Sequence, residues 1–279
     1  MAVEPLPPTG SVPVTRSPAT ALLDLDPDLG ADLSPDRFSR ARAELVVRVV
    51  RLPRGEWAGH GLSSISHQNV GLLMLDGVIA REVVLEDTVS TELLGAGDLI
   101  RPWAGGEDPQ LLANEVRWQV LADARLAVLG RSFAVAVGRF PEVYGVLLDR
   151  LCAHAQRLAT TQAIAHLNSV DRRLLALFWH LSERWGRVSS EGVIVPLTLS
   201  HRLLAEIVGA RRPTVSTALK ELELGGRLLR RDDATWLLTG DPPGAPANGA
   251  RRIVPHRRRL IALESNLAEP GTDSGVLTH

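Results

Sequence analysis

The chain of 279 residues contains a single cysteine, Cys152. One thiol cannot form a disulfide within a subunit, and it cannot by itself supply the ligands of a zinc or iron–sulfur site. The sequence therefore excludes a disulfide framework and a cysteine-ligated metal centre within one subunit. It indicates a reducing compartment.

Long apolar runs and an excess of one charge are also missing. No run approaches the roughly 18 uninterrupted apolar residues of a membrane-spanning helix, and no basic stretch followed by an apolar core marks a signal peptide. We therefore expect a cytoplasmic protein with no membrane partner. The formal net charge is −1, so attraction to nucleic acid must come from a local patch.

The histidines do not follow a metal-binding pattern. A cupin-like metalloenzyme places two histidines one residue apart, followed by a carboxylate and a further histidine. His60 and His67 are instead seven residues apart, and no His-x-His occurs in the chain. No convincing catalytic triad or phosphate-binding loop is present, so we expect no enzyme and no metal site. The cupin-like enzyme stays as an alternative.

Both ends of the chain are rich in residues that disfavour a packed core. Residues 1–35 contain seven prolines and predict a disordered tail. Residues 241–279 predict a second disordered tail, with arginines at 251–252 and 257–259. These arginines either add nonspecific affinity for phosphate or are simply solvated.

Short strands separated by Gly and Asp turns follow the first tail. Ser34 and Pro35 predict the start of a short helix. Valine-rich segments then predict strands, and Asp76-Gly77 indicates a hairpin between two of them. Residues 36–140 therefore predict a β-barrel or jelly roll.

Residues 141–168 predict one long helix that begins at Pro141. Apolar residues, with one histidine and one threonine among them, recur at steps of four and three, as in a coiled coil. Their positions are Val143, Leu147, Leu151, His154, Leu158, Thr161 and Ala165. A second copy of the chain is the simplest partner for this seam, which predicts a dimerisation helix. The alternative is that the seam packs on its own barrel or on the next domain.

The most informative segment is Leu203–Leu222, which reads LLAEIVGARRPTVSTALKEL. Gly209 fits the left-handed turn that ends a helix, and Pro213 fits the first turn of the next helix. Two strands, Leu228–Arg231 and Thr235–Leu238, then predict a wing. Residues 169–240 therefore predict a winged helix-turn-helix, and the whole chain an α+β fold.

The second helix of this motif opens with side chains that can bond guanine edges and phosphates. The candidate DNA-binding residues are Arg211, Arg212, Thr214, Ser216, Thr217 and Lys220. Residues 195–231 hold seven Lys/Arg and three Asp/Glu, a local net charge of +4. The simpler alternatives are a solvated helical face and, for Thr214 and Ser216, capping of free backbone N–H groups.

This order of parts resembles the Crp/Fnr family of transcription regulators over roughly residues 38–239. The resemblance is strongest in LTLSHRLLAEIVGARRPTVSTALKELELGGRLLRR, and LLGAGDLI at Leu93–Ile100 matches the family's Gly-Asp turn. It implies a cyclic-nucleotide-binding-like barrel and a homodimer on a palindromic operator, with Arg212 reading a guanine. It also implies a buried core of Val208, Val215, Leu219 and Leu222. Pro213 replaces a glutamate that reads cytosine in many members, so the preferred half-site need not match theirs.

The effector pocket departs from the cyclic-nucleotide-binding pattern. Members that bind a cyclic nucleotide follow the Gly-Asp turn with Gly-Glu and later Arg-Ser or Arg-Thr. Here Arg101-Pro102-Trp103 follows the turn, Gly106-Glu107 comes only later, and Arg117-Trp118 stands near the phosphate-reading pair. The sequence therefore predicts a degenerate pocket and no identified cofactor.

The sequence leaves other effectors of the barrel open. Haem could use His60 or His67, and Trp57, Trp103 and Trp118 could line an apolar site. Cys152 is inert, a redox-active thiol or, across a dimer, part of an intermolecular disulfide.

The sequence thus predicts a homodimeric, sequence-specific transcription regulator that works without cyclic AMP. Its expected partners are double-stranded DNA, a second copy and RNA polymerase. The other non-enzymatic alternative is a winged helix that binds protein.

Overall fold

The computed structural model describes residues 15–16, 18–58, 69–103 and 111–244. The chain has an α+β fold in which an antiparallel barrel comes first, a long helix follows, and a small helical domain with its own sheet comes last. Within the described residues, no helix combines the length and the apolar character needed to cross a bilayer.

The first sheet has eight strands. They are β1 (Thr15–Arg16), β2 (Thr20–Ala21), β3 (Val46–Leu52), β4 (Gly55–Trp57), β5 (Gly71–Leu85), β6 (Thr88–Gly95), β7 (Leu99–Ile100) and β8 (Glu115–Leu129). The main order is β1-β3-β8-β5-β6, with β2 on β3, β4 on β8 and β7 on β5. All pairings are antiparallel.

The hairpin predicted at Asp76-Gly77 is wrong. β5 runs through these residues, and its register against β8 shifts between Met74 and Ile79, so the Gly marks a bulge. Gly77 has φ +88, and a Cβ there would lie 2.5 Å from Ala124 Cα of β8. The Gly therefore permits close approach of two backbones, and the hairpin turn lies at residues 86–87 instead.

Residues 18–35 correct the prediction of a tail over 1–35. They form β2, α1 (Leu22–Leu25) and a 3-10 turn (Pro27–Gly30) before α2 (Pro35–Glu44). Leu22, Leu23 and Leu29 are buried in a cluster that includes residues of the barrel and of the long helix. Apolar side chains between the prolines thus gain enough contact to order the segment. Residues 1–14 and 17 lie outside the described residues.

The helical part contains α3 (Arg131–Val137), α4 (Pro141–Ala165), α5 (Val170–Trp185), α6 (His201–Val208) and α7 (Arg212–Leu224). A second, four-stranded sheet has the order β11-β12-β10-β9. Its strands are β9 (Arg187–Val188), β10 (Val193–Val195), β11 (Leu228–Arg230) and β12 (Trp236–Leu238). This is the predicted winged helix-turn-helix, with each wing strand one residue shorter than expected.

The long helix α4 carries two stripes with coiled-coil spacing, about 100° apart at 3.6 residues per turn. The inner stripe faces the chain itself and consists of Val143, Leu147, Arg150, His154, Arg157, Thr161 and Ile164. The outer stripe faces solvent and consists of Tyr144, Leu148, Leu151, Ala155, Leu158 and Gln162.

The predicted seam mixed these two stripes. Val143, Leu147, His154 and Thr161 face the chain's own domains, as the alternative interpretation held, whereas Leu151 and Leu158 face outward. Sequence spacing alone could not separate them because both stripes follow the same four-three steps.

Candidate DNA-binding surface

The turn between α6 and α7 has the geometry that its residues predict. Ser200 caps α6, with its hydroxyl oxygen accepting from the backbone N–H of Leu203 at 3.1 Å. Gly209 ends α6 in the left-handed region at φ +62, and no atom lies within 4 Å of a Cβ built there. Gly209 is thus required by its backbone conformation rather than by close packing.

The second helix of the motif, α7, begins at Arg212, one residue before the predicted start at Pro213. Arg211 occupies the N-cap position with an extended backbone, and its side chain makes no capping bond. Val208, Val215, Leu219 and Leu222 are buried, which confirms the predicted core between the helices. The opposite side of α7 is left free of packing.

Five of the six predicted contact residues are exposed on this free side. They are Arg211, Arg212, Thr214, Thr217 and Lys220. Arg211 and Arg212 lie at the N-terminal end of α7, where unpaired backbone N–H groups add partial positive charge. The side-chain cations and the helix dipole thus both make the electrostatic potential at this end of α7 positive.

Ser216, the sixth predicted residue, is half-buried and engaged within the protein. Its Oγ donates to the backbone oxygen of Arg212 at 3.1 Å and lies 2.8 Å from Nδ1 of His201. Thr217 donates in the same way to the backbone oxygen of Pro213 at 3.3 Å, but its side chain stays exposed. Neither hydroxyl caps a free N–H, so the capping interpretation does not apply to Ser216.

Two further cationic or titratable residues border the N-terminal end of α7. Arg230, at the end of β11 in the wing, lies with its guanidinium 5.6 Å from the ring centre of Trp236. His201 opens α6, and its pKa is lowered by burial and then by the positive charges of Arg230 and Arg212. Both residues lie in segment 195–231, but sequence spacing gave no sign that the fold brings them together.

Arg173 is a supporting residue that sequence reasoning missed. From α5 its Nη1 donates to the backbone oxygens of Val208 and Gly209 at 3.2 and 3.1 Å, and its Nε donates to Leu167 O at 2.7 Å. These carbonyls at the end of α6 lack helical partners. Arg173 thus fixes the turn that precedes the recognition helix.

The candidate effector residues of the barrel do not form a phosphate-binding cluster within the described residues. Arg117 is exposed and donates through Nε and Nη2 to both carboxylate oxygens of Glu115, at 2.8 and 2.7 Å. Trp57 and Trp118 are buried in the barrel core with ring centres 5.6 Å apart, and Trp103 packs against the same core. Arg101 is exposed.

Several predicted residues lie outside the described part of the chain. They are His60, His67, Gly106, Glu107 and the arginines at 251–252 and 257–259. Among the described residues, no group of three or more histidine, cysteine and carboxylate side chains is placed to hold a metal ion. Cys152 is exposed on α4.

Comparison with known proteins identifies the C-terminal domain. Residues 172–243 match the model of the Crp-like helix-turn-helix domain. The chain is 28% identical over 151 residues to the regulatory protein CysR of Synechococcus elongatus, covering 53% of this chain and 65% of that protein. It is 24% identical over 116 residues to the putative HTH-type transcriptional regulator ycf28 of Porphyra purpurea, covering 40% of this chain and 49% of that protein.

A solved structure shows the same overall fold. It is that of a cyclic nucleotide-binding domain containing protein from Listeria monocytogenes, with 16% identity and a TM-score of 0.56 over 76% of this chain and 96% of that one. At this identity the likeness establishes the arrangement of barrel, long helix and helix-turn-helix domain only. The matched stretches span about half and about two thirds of the two curated relatives. Residues 172–243 therefore form a Crp-like helix-turn-helix domain, within a fold that the chain shares with this solved structure.

Proposed function

We propose that the chain is a homodimeric, sequence-specific DNA-binding transcription regulator that recognises a palindromic operator without cyclic AMP. The observation that carries the proposal is the exposed cationic end of α7, where Arg211 and Arg212 stand free of packing. Arg212 is the proposed base-reading residue, because the arginine fork matches guanine O6 and N7. Arg211, Thr214, Thr217 and Lys220 are the proposed phosphate or base contacts.

The wing extends this proposed surface. Arg230, the last residue of β11, and Arg231 after it are exposed, and the charges of Arg230 and Arg212 both act on His201 at the start of α6. Cations on both the helix and the wing can neutralise phosphates on either side of the groove that α7 enters. Ser216 is proposed to act with His201 in fixing the α6–α7 pair.

Homodimerisation is supported by the outer stripe of α4. Its large members are exposed in the single chain: Tyr144 by 57%, Leu148 by 49%, Leu151 by 41% and Leu158 by 38%. A heptad-spaced apolar stripe on a 25-residue helix fits a copy of itself across a two-fold axis. Two chains joined there would present two recognition helices, which matches a palindromic site.

Independence from cyclic AMP is supported by the residues at the barrel positions. A cyclic phosphate needs charge-assisted donors, whereas Arg117, which stands near the phosphate-reading position, is paired with Glu115. Trp57 and Trp118 are part of the buried apolar cluster of the barrel. We further propose that the protein acts in the cytoplasm, where the operator-bound dimer positions or blocks RNA polymerase.

The test is selection of bound fragments from random DNA by the full chain, with and without cyclic AMP. A short palindrome with a guanine in each half-site, enriched equally in both selections, is the expected result. Enrichment that depends on cyclic AMP would overturn the proposed independence. No enriched motif at moderate salt would overturn sequence-specific binding and favour a winged helix that binds protein.

A further inference from the structure

Three parts of the chain meet at the carboxylate of Asp98, in the turn between β6 and β7. Asp98 is only 1% exposed, and its Oδ2 accepts from the backbone N–H of Gly95 at 2.8 Å. A buried carboxylate is costly unless cations and donors surround it. The cations around Asp98 therefore show which elements of the chain this turn joins.

Two of the cations come from different domains. Arg157 of α4 places Nη2 at 2.5 Å from Asp98 Oδ1, and Arg184 of α5 places Nη1 at 2.7 Å from Oδ2. Arg184 also donates through Nη2 to the backbone oxygen of Ala96 at 2.8 Å. One carboxylate thus ties the long helix and the helix-turn-helix domain to the same barrel turn.

His154 adds a third cation to this cluster. Its Nδ1 lies 3.7 Å from Asp98 Oδ1, and its Nε2 lies 3.4 Å from a carboxylate oxygen of Glu92 on β6. We name Asp98, His154, Arg157 and Arg184 the Asp98 clasp. It borders a cavity of about 40 Å³ between the barrel, α4 and α5.

Apolar and polar contacts continue the junction on either side of the clasp. Trp185 packs so closely on Gly95 that a Cβ there would lie 2.9 Å from its ring. Val78 and Ala80 of the barrel belong to the same buried cluster as the core of the helix-turn-helix domain. Thr91 of β6 donates to Glu206 of α6 at 3.0 Å.

The proposed DNA-contact residues of α7 remain exposed when the helix-turn-helix domain packs on the barrel in this way. Helices α5 and α6 contact the barrel and α4, while Arg211, Arg212 and Lys220 of α7 stay exposed. Docking therefore does not mask the proposed DNA contacts. Docking fixes the position of these residues relative to α4, which carries the proposed dimer interface.

We propose that Asp98 is a positioning residue that holds the helix-turn-helix domain in its DNA-binding orientation without an effector. The inference rests on the proposed function, because this orientation matters only if the helix-turn-helix domains of two chains bind one operator. Recognition helices must then be spaced by about one helical turn of DNA, roughly 34 Å. A fixed junction in each chain sets this spacing in advance.

The clasp remains charged over the physiological pH range. Burial opposes ionisation of Asp98, but the contact with His154 and the charge of Arg184 outweigh it and lower its pKa to about 2. The same carboxylate and Glu92 raise the pKa of His154 to about 9. The charges that hold the junction together therefore persist between about pH 2 and about pH 9.

The experiment compares Asp98→Asn with the wild-type full chain on two fluorescent duplexes, the selected palindrome and a single half-site. Anisotropy gives both affinities, and hydrogen exchange of residues 93–98 and 181–185 reports whether the junction is closed. Arg184→Met, which keeps the apolar stem, is the second variant in case Asp98→Asn does not fold. The matched control is Asp26→Asn, because Asp26 forms an ion pair with the buried Arg150 that does not involve the helix-turn-helix domain.

The expected result is at least a tenfold loss of affinity for the palindrome, unchanged affinity for the half-site, and faster exchange at the junction. The control keeps the wild-type ratio of the two affinities. An equal loss on both duplexes, or palindrome affinity that is unchanged or higher with an open junction, would overturn the positioning role. A wild-type chain that binds neither duplex would instead overturn the proposed function.

Discussion

Nδ1 of His201 lies 2.8 Å from Oγ of Ser216, and this contact joins the start of α6 to the first turns of α7. When Ser216 donates its hydroxyl proton to the backbone oxygen of Arg212, at 3.1 Å, it has no second proton to give to His201. With that proton engaged, the contact requires an N–H on Nδ1 of His201. The pair thus positions the recognition helix, and base reading is left to the exposed neighbours of Ser216.

Arg212→Ala is expected to weaken binding to the selected palindrome by about 1–3 kcal/mol and to relax the preference for guanine. Ser216→Ala is expected to lower stability by about 0.5–1.5 kcal/mol through lost internal hydrogen bonds, with base preference unchanged. Titrations on the palindrome and on a version with the guanine replaced measure both effects. Arg172→Ala, an exposed arginine on α5, is the control for loss of charge. Unchanged guanine preference in Arg212→Ala would contradict the assignment.

Leu151→Glu is expected to convert the dimer to a monomer, because a charge would be buried at the centre of the outer stripe of α4. The fold of each chain should survive, since Leu151 is 41% exposed in the single chain. Sedimentation equilibrium measures the mass. Val135→Glu introduces the same charge at a residue of α3 that is 66% exposed and should leave the dimer intact. A Leu151→Glu protein that stays dimeric would show that the dimer forms elsewhere.

Stability should decrease as the pH rises from about 6.5 to about 9, because the folded state keeps the proton of His154 after the unfolded state has lost it. Its folded pKa is about 9, raised by the carboxylates of Asp98 and Glu92, against an ordinary value of 6.5. The protonated form is favoured in the folded state. Its contribution is therefore complete below pH 6.5 and is lost as the pH rises through 9, by up to about 3 kcal/mol.

The charged groups that face His154 include Glu92, Asp98 and Arg157, with Arg184 on the far side of Asp98. Urea unfolding of the wild type and of His154→Gln between pH 6 and 9.5 isolates the effect of His154. The difference in free energy of unfolding between them should shrink as the pH rises. A constant difference would show that His154 is not the group that titrates.

Leu29→Ala is expected to lower the free energy of unfolding by about 2–5 kcal/mol, the usual cost of a buried leucine. The reason is that Leu29 is fully buried in the cluster that includes the first turns of α4. Leu224→Ala removes the same atoms from a residue that is 89% exposed and should change stability by less than about 0.5 kcal/mol. If the two variants unfold at the same urea concentration, residues 18–35 do not contribute to the core.

The parts of the fold that sequence reasoning predicted are those governed by local chemistry. Gly209 requires a left-handed turn, and the apolar spacing of Val215, Leu219 and Leu222 requires one buried face of a helix. The bulge at Gly77 was misread because Asp-Gly suits both a hairpin and a close approach of strands. Only the pairing of β5 with β8 distinguishes the two.

By itself, the sequence determined the winged helix-turn-helix, the barrel, the long helix and the cationic first turn of α7, because each depends on residues close together along the chain. Tertiary structure decided which stripe of α4 faces outward, that Leu22–Leu29 joins the core, and that Arg230 and His201 border the recognition helix. It also decided that Asp98 meets Arg157 and Arg184, at separations of 59 and 86 residues. Such contacts arise from the packing of whole elements, and no local spacing encodes them.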